Sequence, residues 1–290
     1  MKNTNRGFVA ALFLAPSFIP LVAFLILPMF AAVVLSFTQW DLLTPATWIG
    51  FANYSELFQS PVFWRTLKNS IIFILGYLPL VYFLGLGAAL GLNRKFNGST
   101  FLRAAYFLPV ITSWVIVSLL WKWILNPQGG IVNSLLSEVG ITGPGWWTST
   151  TWAMPTVILA SAWKDLGYVM LILLAGLQSI PPEYQEAAAI DGASRRQILR
   201  HITLPLLTPA TFFVIVISLI NNFQVFDQIY LMTDGGPEGS TSVLVQQIVN
   251  NSFDYGRMGY ASAMSMVLFA IILVVTLMQL KLQKRWVNYE

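Results

Sequence analysis

The chain contains no cysteine and a single histidine, His201. The first absence excludes disulfides, thiolate nucleophiles and Cys-ligated metals, and with them lipid attachment through a thiol. The second excludes His-rich metal sites. Charge is scarce as well: Asp, Glu, Lys and Arg make up 10% of 290 residues, where a soluble domain carries about 25%. Hydrophobic residues account for 56%. That leaves too little polar surface to cover a core in water, so the chain needs a second, apolar solvent, and lipid supplies it. The net charge of +4 is small and scattered, which is no footprint for a nucleic-acid partner.

What is present is a series of long apolar runs. A spanning helix needs about 20 mostly apolar residues, and six stretches qualify: about 10–37, 70–92, 103–125, 155–179, 205–227 and 259–280. The first follows a basic start and far exceeds the roughly 7–15 apolar residues of a cleavable leader, so it is expected to be a retained span. The expected fold is all-α, a single polytopic transmembrane domain over 1–290. The fourth run contains Lys164 and Asp165. Each central charge costs about 2.5–3.5 kcal/mol on an insertion scale, so this span needs help from its neighbours.

Orientation follows from Lys and Arg. With the N-terminus inside, the inner segments hold eleven cations (Lys2, Arg6, Arg94, Lys95, Arg103, Arg195, Arg196, Arg200, Lys281, Lys284 and Arg285) and the outer loops three (Arg65, Lys68 and Arg257). Both termini are therefore expected on the cytoplasmic side. The segment carrying Arg65 and Lys68 runs against the rule and is expected as an amphipathic helix on the outer surface. The Gly- and Trp-rich stretch 126–152 reads as an interfacial aromatic belt, and Thr233 to Pro237 as a turn.

The inner loop Pro181 to Pro209 is the most informative segment. Pro182 suits a first helical turn, Glu183 and Glu186 complement its positive end, and Ala187, Ala188 and Ala189 are strong helix formers. Gly192 can take the left-handed conformation of a helix stop. Ser194 and Gln197 then form a capping box for a second short helix running into Leu204 and Pro205. A structured elbow longer than a connection requires suggests a docking surface. Glu186-Ala187-Ala188, Gly192 separated from Ala188 by three residues, and Ile202-x-Leu204-Pro205 with nine residues between Gly192 and Ile202, resemble the EAA motif of the permease subunits of binding-protein-dependent ABC importers. Gly176 to Pro181 and Thr233-x-Gly235-Gly236-Pro237 are similar to the sugar-importer branch, the maltose and glycerol-phosphate permeases.

The resemblance implies a type I importer architecture and a coupling helix docked on a cytoplasmic ATPase dimer, with Glu186, Ala187, Ala188, Asp191, Gly192, Leu204 and Pro205 at or beside the contact. No GxxxxGK[ST] loop occurs in the chain, so ATP and Mg2+ belong to the partner ATPase. The chain itself is expected to hold no catalytic site, metal or cofactor. The family further implies a second homologous permease as mate, an extracytoplasmic solute-binding protein, and a bacterial or archaeal cytoplasmic membrane.

Polar groups at membrane depth are functional candidates. Ser161, Lys164, Asp165 and Tyr168 fall at helical spacing on one face, as do Ser218, Asn221, Asn222 and Val225, with Gln224 and Asp227 beyond. Two such stripes either meet each other dry, as interhelical hydrogen bonds, or line a wet cavity. The resemblance favours the cavity, because the matching positions of Ser161, Lys164, Asp165, Tyr168, Ser218 and Asn222 lie on solute-lining helices. Trp114 offers a ring for stacking on a sugar, or packs. Amide, hydroxyl and aromatic groups suit a neutral sugar, glycoside or polyol; an anion such as glycerol phosphate would want a cationic cluster, and Lys164 alone is available deep in the chain. An ion-coupled secondary transporter would explain the spans but not the elbow, and no inverted repeat is seen. An enzyme lacks a catalytic constellation, and a channel lacks a filter.

Overall fold

The computed structural model describes residues 4–94 and 96–287; Lys2 and Lys95 of the charge argument lie outside them. Helices α1 (Thr4–Leu21) and α2 (Leu27–Leu35) are joined by a π-helical turn, Val22–Ile26, without a break in direction at either cap. Then come a two-residue hairpin, β1 (Thr38–Gln39) with β2 (Thr47–Trp48), and the helices α3 (Ala52–Gln59), α4 (Pro61–Leu92), α5 (Ser99–Ile111), α6 (Trp114–Ile124) and α7 (Ile131–Glu138). A long helix α8 (Ala153–Gln178) leads into the elbow, α9 (Pro182–Ile190), α10 (Arg195–Ile198) and α11 (Leu204–Leu206). The chain ends with α12 (Thr208–Phe223), α13 (Asp227–Met232), α14 (Leu244–Val249) and α15 (Met258–Trp286).

Among the described residues four stretches are long and apolar enough to cross a membrane alone: Leu12–Leu35, Pro61–Leu92, Ala153–Gln178 and Met258–Trp286. The other two expected spans are bent pairs, α5 with α6 at 101° and Arg195–Leu206 with α12 at 59°. Counting each pair once gives six. The first bend has a local cause. Pro109 sits near the end of α5, Thr112 is extended at ψ 137°, and Ser113 opens α6 by accepting from the Val115 N–H. A run read only for its apolar length hides such a stop and restart. Arg65 and Lys68 also differ from expectation: they sit in the first turns of α4, continuous with the second span, and α3 is the separate short helix before it.

The chain divides into two compact units, Met1–Phe63 with Gln247–Ala270 and Trp64–Gln246 with Ile271–Glu290. In the first, Asn53 ties α3 to the hairpin, donating to the Ser36 and Thr38 carbonyls at 2.9 Å each. The Arg257 guanidinium pairs with Glu56 at 2.6 Å and lies 4.3 Å from the Tyr260 ring centre.

In the second unit α8 is the hub, packed against α5, α6, α12 and α13. Fifteen of its 26 residues are buried, so this least apolar of the long helices is enclosed by protein. Between membrane helices lipid is as apolar as leucine, and close packing drives association. Gly167 permits the α5–α8 contact: a Cβ there would run into the Tyr106 carbonyl.

Candidate functional site

The bend between α5 and α6 creates a chemical problem that α8 answers. The last carbonyls of a helix have no intrahelical donor, and Val110 is one of them. Lys164 donates from Nζ to the Val110 carbonyl at 2.8 Å, a cation placed where the helix dipole is negative. The same ammonium lies 5.2 Å from the centre of the Trp114 ring. Its side chain is 7% exposed, and it forms no ion pair with Asp165. Lys164 thus satisfies a carbonyl at the break and is not among the residues lining the cavity around Asp165. Ser161, fully buried, turns its hydroxyl back to the Val157 carbonyl of its own helix at 2.8 Å and is likewise not among the residues lining that cavity.

One turn further along, Asp165 and Tyr168 do face open space. They line a cavity of about 490 Å³ together with Trp114, Ser218, Asn221, Asn222, Gln224 and Val225. The α12 stripe thus enters whole, and the α8 stripe by half. Asn222 is 6% exposed and donates to the Ser218 carbonyl at 2.6 Å, whereas Asn221 and Gln224 are exposed. The Tyr77 hydroxyl donates to Asp165 Oδ2 at 2.8 Å, fixing one carboxylate oxygen.

Tyr77, Val110, Phe226 and Gln228 also line the cavity and were not singled out from the sequence. Tyr77 carried a signal, one of two phenols (with Tyr82) in a largely apolar span. Val110 carried none, because its backbone matters only once the helix breaks. The wall holds two carboxylates, Asp165 and Asp227, and no cation; its donors and acceptors are amides, hydroxyls and an indole.

The elbow folds as its residues dictate. Pro182 is the first helical residue of α9, and Glu183 sits in its first turn. Gly192 closes the helix at φ +83°, with the Ala193 N–H reaching back to the Ala188 carbonyl at 2.9 Å. The capping box is present: Ser194 N–H donates to Gln197 Oε1 at 2.8 Å, and Ser194 Oγ accepts from the Gln197 N–H. From there the chain passes through a π-helical turn, Leu199–Thr203, to Leu204 and Pro205 in α11. Glu186, Ala187, Asp191 and Gly192 are exposed, Ala188 is half-buried, and Ile190 is 86% exposed. Neither Glu186 nor Asp191 pairs with any described cation.

A multi-pass helical membrane protein with a polar cavity among its helices and a rigid elbow between two spans is, by class, a transporter permease. Residues 81–288 match the family described as "Binding-protein-dependent transport system inner membrane component", and the chain belongs to it. The probable ABC transporter permease protein YesP of Bacillus subtilis is 38% identical over 294 residues, covering 100% of this chain and 94% of that protein. The sulfoquinovosyl glycerol transport system permease protein SmoG of Agrobacterium fabrum is 36% identical, over 94% and 90%. Among solved structures, a chain of a bacterial alginate ABC transporter, in complex with its alginate pentasaccharide-bound periplasmic protein, aligns with a TM-score of 0.86 at 27% identity, covering 98% of this chain and 96% of that one.

Proposed function

We propose that this chain is the permease subunit of an ATP-driven importer that moves a neutral sugar, glycoside or polyol inward across the cytoplasmic membrane by alternating access. The observation that carries the solute class is the cavity wall. It joins amides (Asn221, Asn222, Gln224), hydroxyls (Tyr168, Ser218) and an indole (Trp114) to two carboxylates, without a cation. Hydroxyl-rich neutral solutes find donors and acceptors there, whereas a phosphate or carboxylate would meet like charge. The relatives' names and the alginate neighbour support a saccharide cargo in general, and the lining argues against glycerol phosphate.

Coupling is assigned to the elbow. Glu186, Ala187, Asp191 and Gly192 form the exposed face, and the ATPase dimer that binds ATP and Mg2+ is the partner of a chain without a phosphate loop. A second permease completes the translocation path, and a binding protein delivers solute from outside, as the periplasmic protein on the alginate neighbour suggests. Both termini are assigned to the cytoplasm by the charge asymmetry. The test is uptake of labelled saccharide into proteoliposomes holding the whole importer. Uptake is expected to require the ATPase and ATP; uptake that persists without them and follows an ion gradient would make the chain a secondary carrier.

A further inference from the structure

A second cavity lies apart from the first, with its own set of lining residues. It measures about 360 Å³, within the range of small-molecule pockets, roughly 300–1,000 Å³, and its wall includes Lys122, Trp147, Thr148, Tyr230, Asp234 and Gly236. Three features make it a built site. Lys122, in the last turn of α6, places its ammonium 4.8 Å from the centre of the Trp147 ring and so fixes the indole. Trp147 keeps a buried indole N–H with no acceptor among the described residues. The wall opposite is the Thr233-x-Gly235-Gly236-Pro237 loop, which is cross-braced from within.

The bracing is specific. The Gly236 N–H donates to the Thr233 carbonyl at 2.9 Å, Thr241 Oγ1 to the Gly236 carbonyl at 2.9 Å, and the Thr233 and Thr241 hydroxyls share a hydrogen at 2.7 Å. Gln246, 1% exposed, donates from Nε2 to Asp234 Oδ1 at 3.1 Å. The wall carries one cation and one carboxylate together with an indole and a phenol. Rings for the C–H faces of a pyranose and a carboxylate for its hydroxyls are the chemistry of a saccharide site.

Helix α13 connects the two cavities. Asp227 and Gln228, at its start, line the first, as does Phe226 just before it; Tyr230 and its neighbours line the second. The Phe226 and Tyr230 rings stack at 5.3 Å with 14° between planes, an aromatic track from one to the other. Resting on the saccharide reading above, we infer that the second cavity is an accessory saccharide subsite. It holds one ring of a solute whose next ring enters the central cavity, and so favours di- and trisaccharides over single sugars.

The test uses the whole importer in proteoliposomes, with labelled mono-, di- and trisaccharides of glucose, galactose, xylose and arabinose as probes. Trp147→Ala, Tyr230→Ala and Asp234→Asn are each expected to raise the KM for di- and trisaccharides by about tenfold. Monosaccharide uptake and ATP hydrolysis stimulated by the binding protein should stay at the parental level. Trp147→Phe and Tyr230→Phe keep the rings and should retain most of the long-chain preference. A loss equal at every length, or no change at any, overturns the subsite, as does a parent that carries only single sugars. A parent that takes up no saccharide of any length overturns the solute reading, and the subsite with it.

Discussion

The first and fourth spans make an instructive pair. Leu12–Leu35 has a mean hydropathy of 2.7 and none of its most apolar window is buried; Ala153–Gln178 has 1.7 and 61% buried. In a soluble protein the order would be reversed, the most apolar helix lying deepest. Where the surroundings are hydrocarbon, greasy helices need no cover, and a helix bearing Ser161, Lys164 and Asp165 must be wrapped by protein or by a wet cavity. Exposure thus tracks hydropathy, and the buried polar groups ride on the helix that lipid suits least.

The contrast can be broken at its packing. Gly167→Leu forces a side chain into the Tyr106 carbonyl and should cost about 3 kcal/mol or more, seen as loss of folded, detergent-stable protein. Ala31→Leu on the exposed first span should shift stability by no more than about 0.5 kcal/mol. Equal sensitivity of the two helices in a thermal melt would defeat the comparison.

A smaller loss is expected at the broken third span. Lys164→Leu removes the donor to Val110, and an orphaned carbonyl costs about 1–3 kcal/mol. Uptake should fall through the displaced Trp114 wall, and Lys164→Arg should restore part of both. Tyr77→Phe deletes the hydrogen bond to Asp165, worth about 0.5–1.5 kcal/mol, and should raise the KM for solute while lowering the melting temperature by only a few degrees.

The smallest effect lies outside the membrane. The N–H and hydroxyl of Thr44, with the Leu43 N–H, hold the Asp41 carboxyl below its ordinary value near 3.8. A lowered folded-state pKa means stability that is present above the ordinary value and lost as pH falls through the depressed one. Asp41→Asn should therefore melt slightly below the parent near neutral pH and match it in strong acid. A gap that widened on acidification would contradict that sign.

Much of this was legible in the residues. Runs of apolar side chains give the spans, the 3–4 spacing of Ser218, Asn221 and Asn222 gives the cavity stripe, and Pro182, Gly192, Ser194 and Gln197 spell out the elbow. Other features depended on what lies across a contact. Helical spacing puts Ser161 and Lys164 on the same face as Asp165 and Tyr168, but a face is wide. A short hydroxyl can return to its own backbone, and a long lysine reaches whatever neighbour lacks a donor. That neighbour existed only because Pro109, Thr112 and Ser113 stop one helix and start another at 101°. Tyr77 entered for the same reason, its partner lying 88 residues away in the chain.

The central claim, that the polar face enclosed around α8 and α12 is a solute path rather than helix glue, has one direct test at Asn221. Its side chain lines the cavity, is exposed, and has no hydrogen-bond partner among the described residues, so Asn221→Leu removes a cavity group without unpairing anything. Saccharide uptake by the reconstituted importer should fall about tenfold or more while the melting temperature holds. Parental uptake in that variant, or a fall in melting temperature that accounts for the loss, would contradict the claim.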